Sequence, residues 1–448
     1  MNRRCFVTQA LSGVIAMAFG LTPEEGKSGL RAQTSAFSGA RDSFAPNPLA
    51  SGALKIDCHF PGGNIIVDSI KGDTVWLHQD LRDTEGNWFY WYFRGRRAGG
   101  RDLNFRFTRV DGNGVRNPAE PSGSVTWGWR DVIGVRGPAV SVDGGRTWRW
   151  LGTESVDGAS FRFAFPLDAE DVRFAVAMPY VKSNLDSFLD HYHGNPNLRT
   201  DTLFRSRKGR PVQLLHLGRL DSQPTYRVLL TARHHACETM ASYSLEGMMG
   251  AILADTEEGN WFRTHAEFLV VPFMDTDGVE DGDQGKNRRP HDHNRDYGSK
   301  SIYPEVRALE ELVPRWSGGR VRFALDMHCP DLRGAEDQEI SFPGGRNQQI
   351  WKQVEHFSRI LESVQSGPLP FSSRNNMPFG TSWNKPDNQK PGDGEASSGW
   401  ASELPGIWLA ATIEIPYASA GGKPVTPDSA KALGFDLARA LRGYLVSA

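Results

Sequence analysis

Residues 227–239, RVLLTARHHACET, decide the fold of the chain. The first six, Arg227–Ala232, are almost continuously apolar, which is typical of a strand that is covered on both faces of a sheet. The residues after Thr239 repeat at the period of a helix, with apolar side chains at Leu245, Met248, Met249, Ile252 and Leu253. A strand that leads through a short loop into a helix predicts one unit of an α/β sheet.

The same pattern repeats over residues 179–448. Apolar strand candidates alternate there with helix-period segments, and the last helix is predicted to begin at Thr426-Pro427, a cap followed by proline in the first turn. We therefore expect an α/β domain whose mixed or mostly parallel sheet is flanked by helices. The strand candidates are Val212–Leu217, Arg227–Ala232, Glu267–Phe273, Val321–Met327 and Ile407–Ile415.

Residues 53–178 precede this domain and have the short predicted strands and frequent turns that are typical of a small all-β sandwich. Apolar and polar residues alternate through Leu103–Phe107 and Phe161–Phe165, and Asp143-Gly144-Gly145 predicts a hairpin turn. Seven tryptophans fall between positions 76 and 150. The core of a sandwich is the favoured explanation for them, and an aromatic platform for sugars is the alternative.

Polar residues of metal-binding type stand just past the ends of three predicted strands. His235 and Glu238 follow Arg227–Ala232, His328 follows Val321–Met327, and Glu414 lies at the end of Trp408–Ile413. Functional groups in α/β sheets gather at the carboxyl ends of strands. Two imidazoles and one carboxylate match a catalytic zinc site with an open fourth position, so we expect one zinc ion per chain at His235, Glu238 and His328. Glu414 is the candidate general base, and Asp326 is placed to orient a ligand.

The segment Lys286–Arg295 is dense in hydrogen-bond donors. A guanidinium beside an amide, as in Asn294-Arg295, suits the capture of a carboxylate. His291 and His293 are alternative metal ligands, less favoured because the three residues above already complete a zinc site.

The first 52 residues predict export followed by a linker. Asn2–Val7 contains a twin-arginine pattern, an uncharged apolar stretch runs to Leu21, and Ala16-Met17-Ala18 is a cleavage candidate. We expect residues 1–21 to be a signal peptide, residues 22–52 to be a flexible linker, and the mature protein to be periplasmic or secreted. The apolar stretch is short for a membrane span, so no stable membrane insertion is expected after cleavage.

The charge balance excludes one class of partner. The formal net charge is −2, and the chain has no basic run of the kind that follows nucleic-acid phosphates. No nucleic-acid partner is expected.

Taken in order, these motifs resemble the zinc carboxypeptidases of the carboxypeptidase A type. The closest resemblance is to the cytosolic carboxypeptidase branch, which has an N-terminal β domain. The stretches that carry the resemblance are Trp88–Arg94, Ala175–Tyr180, Ala232–Glu238, Val271–Val279, Asp292–Arg295, Leu325–His328 and Thr412–Pro416.

The resemblance implies hydrolysis of the C-terminal peptide bond of peptides or proteins, by a zinc-bound water with Glu414 as general base. Asn294 and Arg295 would hold the terminal carboxylate. Arg288, with Arg289 as the alternative, would stabilise the oxyanion.

The chain departs from the digestive enzymes of this family in having no tyrosine between His328 and Glu414. Trp383 or Trp400 would then cover the site. Two other functions stay open: a carboxypeptidase for cell-wall peptide stems, and a non-catalytic relative that binds carbohydrate or protein.

Overall fold

The computed structural model describes residues 53–86, 88–110, 116–121, 132–220, 223–388 and 393–447. The predicted signal peptide and linker lie outside these residues. All the described residues belong to one compact unit, Leu49–Ala448. Within this unit, the predicted domain boundary between residues 178 and 179 stays a prediction.

The N-terminal region is built from two β-sheets. One has the strand order β1-β4-β11-β7-β8, and the other has the order β2-β3-β5-β10-β9, with β6 beside β5. All neighbouring strands are antiparallel except β3 and β5. The strands are β1 Lys55–Asp57, β2 Ile66–Lys71, β3 Thr74–His78, β4 Tyr92–Arg96, β5 Asp102–Val110, β6 Arg116–Pro121, β7 Ala139–Ser141, β8 Arg149–Trp150, β9 Val156–Asp157, β10 Ser160–Ala164 and β11 Val172–Ala175.

Aromatic side chains join the two sheets into a sandwich. Phe93 on β4 lies 5.3 Å from Phe105 on β5, and Phe174 on β11 lies 5.4 Å from Phe161 on β10, measured between ring centroids. Trp91 is fully buried against this cluster. The alternation of apolar residues therefore predicted the core correctly, and the all-β region before an α/β region is confirmed.

The second region contains a six-stranded mixed sheet in the order β12-β13-β15-β14-β16-β17. The last four strands in that order run parallel to one another. β13 runs antiparallel to both of its neighbours, β12 and β15. All five predicted strands are present, with ends shifted by at most two residues. The strands are β12 Leu198–Arg205, β13 Pro211–Gly218, β14 Tyr226–Ala232, β15 Ala266–Val271, β16 Val321–His328 and β17 Leu409–Glu414, followed by the short pair β18 Ser419–Ala420 and β19 Lys423–Pro424.

Helices cover both faces of this sheet, which explains why its strands are apolar on both sides. One core packs α2, α6 and α8 against one face, and a second core packs α5 against the other. The helix α8 begins where the sequence predicts, and the Thr426 hydroxyl accepts from the Ser429 amide at 3.2 Å. The helices are α1 Lys182–His191, α2 Thr239–Leu253, α3 Glu257–His265, α4 Thr276–Asp281, α5 Pro304–Ser317, α6 Gln348–Val364, α7 Ser397–Ser402 and α8 Pro427–Ser447.

The helices α2 and α8 touch at two glycines. A Cβ atom at Gly247 would lie 2.0 Å from the Lys431 carbonyl oxygen, and one at Gly434 would lie 2.1 Å from the Ser244 carbonyl oxygen. Any larger residue would therefore separate the two helices. Among the described residues, no helix is long and apolar enough to cross a membrane.

Candidate active site

Three neighbouring parallel strands deliver the candidate residues to one edge of the sheet. In the register of the sheet, Ala232 at the end of β14 pairs with Met327 on β16, and His328 at the end of β16 pairs with Glu414 at the end of β17. A polar group at such a strand end extends beyond the sheet into the space above it. The sequence-predicted positions are thus brought together by strand pairing.

The loop between β14 and α2 is shaped by a buried arginine. Arg233 has a positive φ of 59°, and its guanidinium donates to the carbonyl oxygens of Ala236 and Tyr180 and to the Ser242 hydroxyl. These bonds fix the loop just before the helix, so that His235 and Glu238 face the strand ends from a rigid position.

The donor atoms of His235, Glu238 and His328 converge on one point. They lie within 4.8 Å of one another, and all three residues are buried. The Nδ1 atoms of the two imidazoles are 3.2 Å apart, and each lies 2.9 Å from a different oxygen of the Glu238 carboxylate. This set of nitrogen and oxygen ligands, with room for a fourth, is the one that catalytic zinc takes in proteins.

The charge of the Glu238 carboxylate supports a cation at this point. The Oε2 atom of Glu238 is buried, and its contact with the His328 Nδ1 atom at 2.9 Å is not a well-aligned hydrogen bond. The charges of Lys286, His235 and His328 outweigh burial and hold the pKa of Glu238 well below its usual range, so the carboxyl is an anion. A buried anion whose two oxygens each face a histidine nitrogen fits a metal ion.

A second ring of contacts orients the two histidines. The Nε2 atom of His328 lies 2.7 Å from Asp326, whose other oxygen accepts from the Thr231 hydroxyl and contacts His234 at 2.9 Å. The Nε2 atom of His235 lies 3.5 Å from Asp292. In metal sites such contacts set the tautomer and the ring orientation of the ligand. The role predicted for Asp326 agrees with these distances.

The Glu414 carboxyl lies beside this centre in a buried position. Its backbone is fixed by reciprocal hydrogen bonds with Ser341, at 2.9 and 3.2 Å. Burial raises the pKa of Glu414 to about 7, and the neighbouring charge of His328 opposes that rise. Its Oε2 atom is buried and lacks a hydrogen-bond partner in the described part of the chain, so it is available to a substrate or a water molecule.

Asn294 and Arg295 occupy the 3-10 turn His293–Arg295 and line the same cleft as Glu414. The Asn294 side-chain oxygen accepts from the Ser397 amide at 2.9 Å, and the Arg295 guanidinium donates to the carbonyl oxygens of Asn294 and Asn388 at 2.9 and 3.3 Å. Asp292 is the carboxylate nearest in effect: the charge of His235, and after it that of Arg295, helps to hold the pKa of Asp292 below its usual range against the effect of burial. The hydrogen-bond partners of the guanidinium named above are backbone carbonyl oxygens.

The cations before this turn have different surroundings. Arg288 is enclosed by three carboxylates, those of Asp275, Asp283 and Asp83, at 2.6, 3.0 and 2.9 Å. Arg289 pairs with Glu85 at the surface. The oxyanion role that the resemblance gives to Arg288 stays a prediction.

The two alternative histidines are engaged elsewhere. His291 contacts Asp296 at 2.6 Å, and His293 contacts Glu305 at 2.7 Å. Neither belongs to a group of converging metal donors among the described residues.

The site opens into a cleft of about 870 Å³. Both tryptophans proposed to cover the site, Trp383 and Trp400, line this cleft. Trp400 stacks on Tyr297, whose hydroxyl lies 2.7 Å from His234. The wall of the cleft at Trp400 and Tyr297 is therefore aromatic.

Sequence reasoning missed three residues of this site: Lys286, Asp292 and Tyr297. Asp292 stands two residues before Asn294-Arg295, and that spacing could have identified it as the partner of His235. Lys286 and Tyr297 had no comparable signal, because their contacts depend on how the segment folds over the strand ends.

Comparisons with known proteins agree with this geometry. No family model matches the chain. Cytosolic carboxypeptidase 2 of Xenopus tropicalis is 28% identical over 343 residues, which are 71% of this chain and 34% of that protein. Cytosolic carboxypeptidase 2 of Homo sapiens is 25% identical over 351 residues, which are 71% of this chain and 37% of that protein. The chain thus spans about a third of the length of these curated relatives.

Solved structures show the same fold. A metallo-carboxypeptidase from Burkholderia cenocepacia superposes with a TM-score of 0.68 at 22% identity, covering 88% of this chain and 99% of that one. One from Pseudomonas aeruginosa, solved with (2-guanidinoethylmercapto)succinic acid, gives a TM-score of 0.66 at 21% identity and covers 88% and 99%. The predicted resemblance is thereby confirmed: in sequence the chain is similar to cytosolic carboxypeptidases, and it shares the fold of the metallo-carboxypeptidases.

Proposed function

We propose that the protein is a zinc-dependent carboxypeptidase that removes the last residue of peptides or proteins. The observation that carries this proposal is the convergence of His235, Glu238 and His328 at the strand ends, with Glu414 in register beside His328. The relatives and structural neighbours are metallo-carboxypeptidases, which hydrolyse peptide bonds.

The three ligands would hold one zinc ion. When bound, zinc acts as a Lewis acid and makes water a stronger acid and a better nucleophile near neutral pH. Asp326 and Asp292 keep the two ligand imidazoles in the tautomer that leaves Nδ1 free to bind metal, since each contacts the Nε2 atom of its histidine.

Glu414 would transfer the proton. Its carboxylate takes a proton from the attacking water as the oxygen bonds to the scissile carbonyl carbon. It then gives that proton to the leaving amine as the carbon–nitrogen bond breaks. A buried carboxyl with an unpaired oxygen suits both steps, because no protein donor has to be displaced first.

Arg295 and Asn294 would determine where the chain is cut. A guanidinium makes two parallel, charge-assisted hydrogen bonds to a carboxylate. In the described part of the chain, the hydrogen bonds of Arg295 go to backbone carbonyl oxygens, so a substrate's terminal carboxylate would be its hydrogen-bonded charged partner. This arrangement selects the free end of a chain over an internal peptide bond.

A pair of substrates tests this assignment. We expect a peptide with a free C-terminus to be cleaved several orders of magnitude faster than the same peptide with an amidated C-terminus, because the amide lacks the anion and leaves Arg295 desolvated without a partner. In Arg295→Ala, the two rates should become nearly alike. Release of the terminal residue, measured by mass spectrometry, gives kcat/KM for each peptide.

Arg162→Ala is the matched control, since Arg162 pairs with Asp102 on the exposed surface of the β region. It should keep the preference for the free acid. Efficient cleavage of the amidated peptide by the unmodified enzyme would instead indicate an endopeptidase or an amidase.

We further propose that the protein is exported through a twin-arginine pathway to the periplasm or the medium. Arg3-Arg4, followed by an uncharged apolar stretch, supports the proposal. In a bacterial host with a working twin-arginine translocase, the full chain is expected in the periplasmic fraction, and the double variant Arg3→Lys, Arg4→Lys is expected to stay inside the cell. Export of that variant at the original level, measured by fractionation and immunoblotting, would overturn the assignment.

A further inference from the structure

We propose that the Lys286 ammonium stabilises the oxyanion that forms on the scissile carbonyl. This inference rests on the proposed function and adds a catalytic residue to it. The juxtaposition that carries it is a buried ammonium between a candidate metal ligand and the wall of the cleft.

Lys286 lies at the centre of the site. Its side chain is 13% exposed, and Nζ lies 2.8 Å from Oε1 of Glu238. Nζ also donates to the carbonyl oxygen of Cys329 at 3.1 Å, on the residue that follows the ligand His328. The same side chain lines the cleft. Lys286 is therefore next to the metal ligands and open to the space where a substrate binds.

The surroundings of the ammonium are built for a cation. Beyond Glu238 and Cys329, the face of the Trp88 ring lies 5.3 Å from Nζ, within the range of a cation–π contact. Burying an ammonium is unfavourable unless such partners are supplied. Three separate parts of the chain supply them here, which indicates that the position of this charge is specified by the fold.

An ammonium has three donors, and its two polar contacts with the described residues account for two of them. Glu238 would also share its charge with a bound metal, which weakens its hold on Lys286. Lys286 therefore keeps donor capacity for a new anion in the cleft. Arg288 differs, because Asp83, Asp275 and Asp283 together hold its guanidinium.

In the proposed step, the water oxygen bonds to the carbonyl carbon while its proton passes to Glu414. The electron pair of the carbonyl double bond moves onto the carbonyl oxygen. Lys286 donates a hydrogen bond to that oxygen and keeps its own proton. When the carbonyl double bond forms again, the electron pair of the carbon–nitrogen bond leaves with the amine, which takes the proton back from Glu414. Preorganised donors of this kind stabilise the charge that develops in the transition state.

The test compares binding of a transition-state mimic with binding of a substrate mimic. One peptide carries a phosphonate in place of the scissile bond, and its anionic oxygens mimic the oxyanion. The other carries a methylene-amine and has no oxygen there. In Lys286→Met, we expect kcat to fall by about 10²–10³ and the inhibition constant of the phosphonate to rise by a similar factor. Zinc content and the inhibition constant of the methylene-amine peptide should stay unchanged.

Two further variants sharpen the result. Lys286→Arg retains the charge and should recover at least part of kcat and phosphonate affinity. Lys208→Met is the matched control, since Lys208 pairs with Asp281 away from the cleft and should leave all four quantities unchanged.

Equal losses for both inhibitors, or a loss of zinc from Lys286→Met, would show that Lys286 only supports Glu238 and would overturn the proposal. So would an arginine variant as impaired as the methionine variant. If the unmodified protein releases no terminal residue from any peptide, the proposed function fails instead, and that outcome is visible before any variant is made.

Discussion

Replacing His328 with alanine is expected to remove nearly all zinc from the protein and to abolish peptide hydrolysis. His328 supplies one of the three converging donors, and its loss leaves only His235 and Glu238 on the adjoining loop. A catalytic zinc site needs three protein ligands to hold the ion tightly. Metal analysis of the purified variant by mass spectrometry, beside the unmodified protein, measures the effect as zinc per chain.

The matched control is His356→Ala. His356 lies on α6, where its ring centroid is 5.9 Å from that of Tyr444, and it contributes nothing to the site. That variant should keep about one zinc per chain. Full zinc occupancy in the His328 variant would mean that the metal is held elsewhere, and the assignment of all three ligands would have to be withdrawn.

The second large effect is expected for Glu414→Gln, which should keep zinc and fold but lose hydrolysis. The amide has the shape of the carboxylate and cannot take a proton, and general acid–base groups contribute roughly a hundredfold to ten-thousandfold to the rate. We expect kcat to fall within or beyond that range while zinc content and the unfolding temperature stay close to those of the unmodified protein.

Glu362→Gln is the corresponding control, because Glu362 is a largely exposed carboxylate that accepts hydrogen bonds from Ser372 and Ser373. Its kcat should be unchanged. If Glu414→Gln hydrolyses peptides at a rate close to that of the unmodified enzyme, another group must take the proton.

The sequence was informative wherever function depends on strand ends. His235 follows β14, and His328 and Glu414 end β16 and β17. Each of these strands can be recognised by its apolar run, and their parallel pairing brings the three residues together. The pattern could not give the order of the strands, because β15 lies between β13 and β14 and so departs from chain order.

The segment from residue 282 to 295 was the least predictable part of the site. Its charges could be read from the sequence, but their partners could not. Arg288 meets Asp83, which is 205 residues away in the chain. Lys286 meets Glu238 and the Trp88 ring, which come from two different regions. Lys286 contacts one carboxylate and Arg288 contacts three, although the two cations are only two residues apart. Only the folded structure reveals this difference.

The same segment is anchored to the β-sandwich in a way that mimics strand pairing. The Gln284 side chain accepts from the Tyr90 amide at 2.7 Å and donates to the Tyr90 carbonyl oxygen at 2.8 Å, while Asn64 donates to the Gly282 carbonyl oxygen at 2.6 Å. These bonds are buried, so neither partner can turn to water instead. Hydrogen bonds from the sandwich therefore fix the position of the segment that carries Lys286. In evolutionary terms, the β-sandwich and the α/β region are not independently exchangeable between relatives. Recombination between them would have to preserve the hydrogen bonds of Gln284 with Tyr90 and of Asn64 with Gly282.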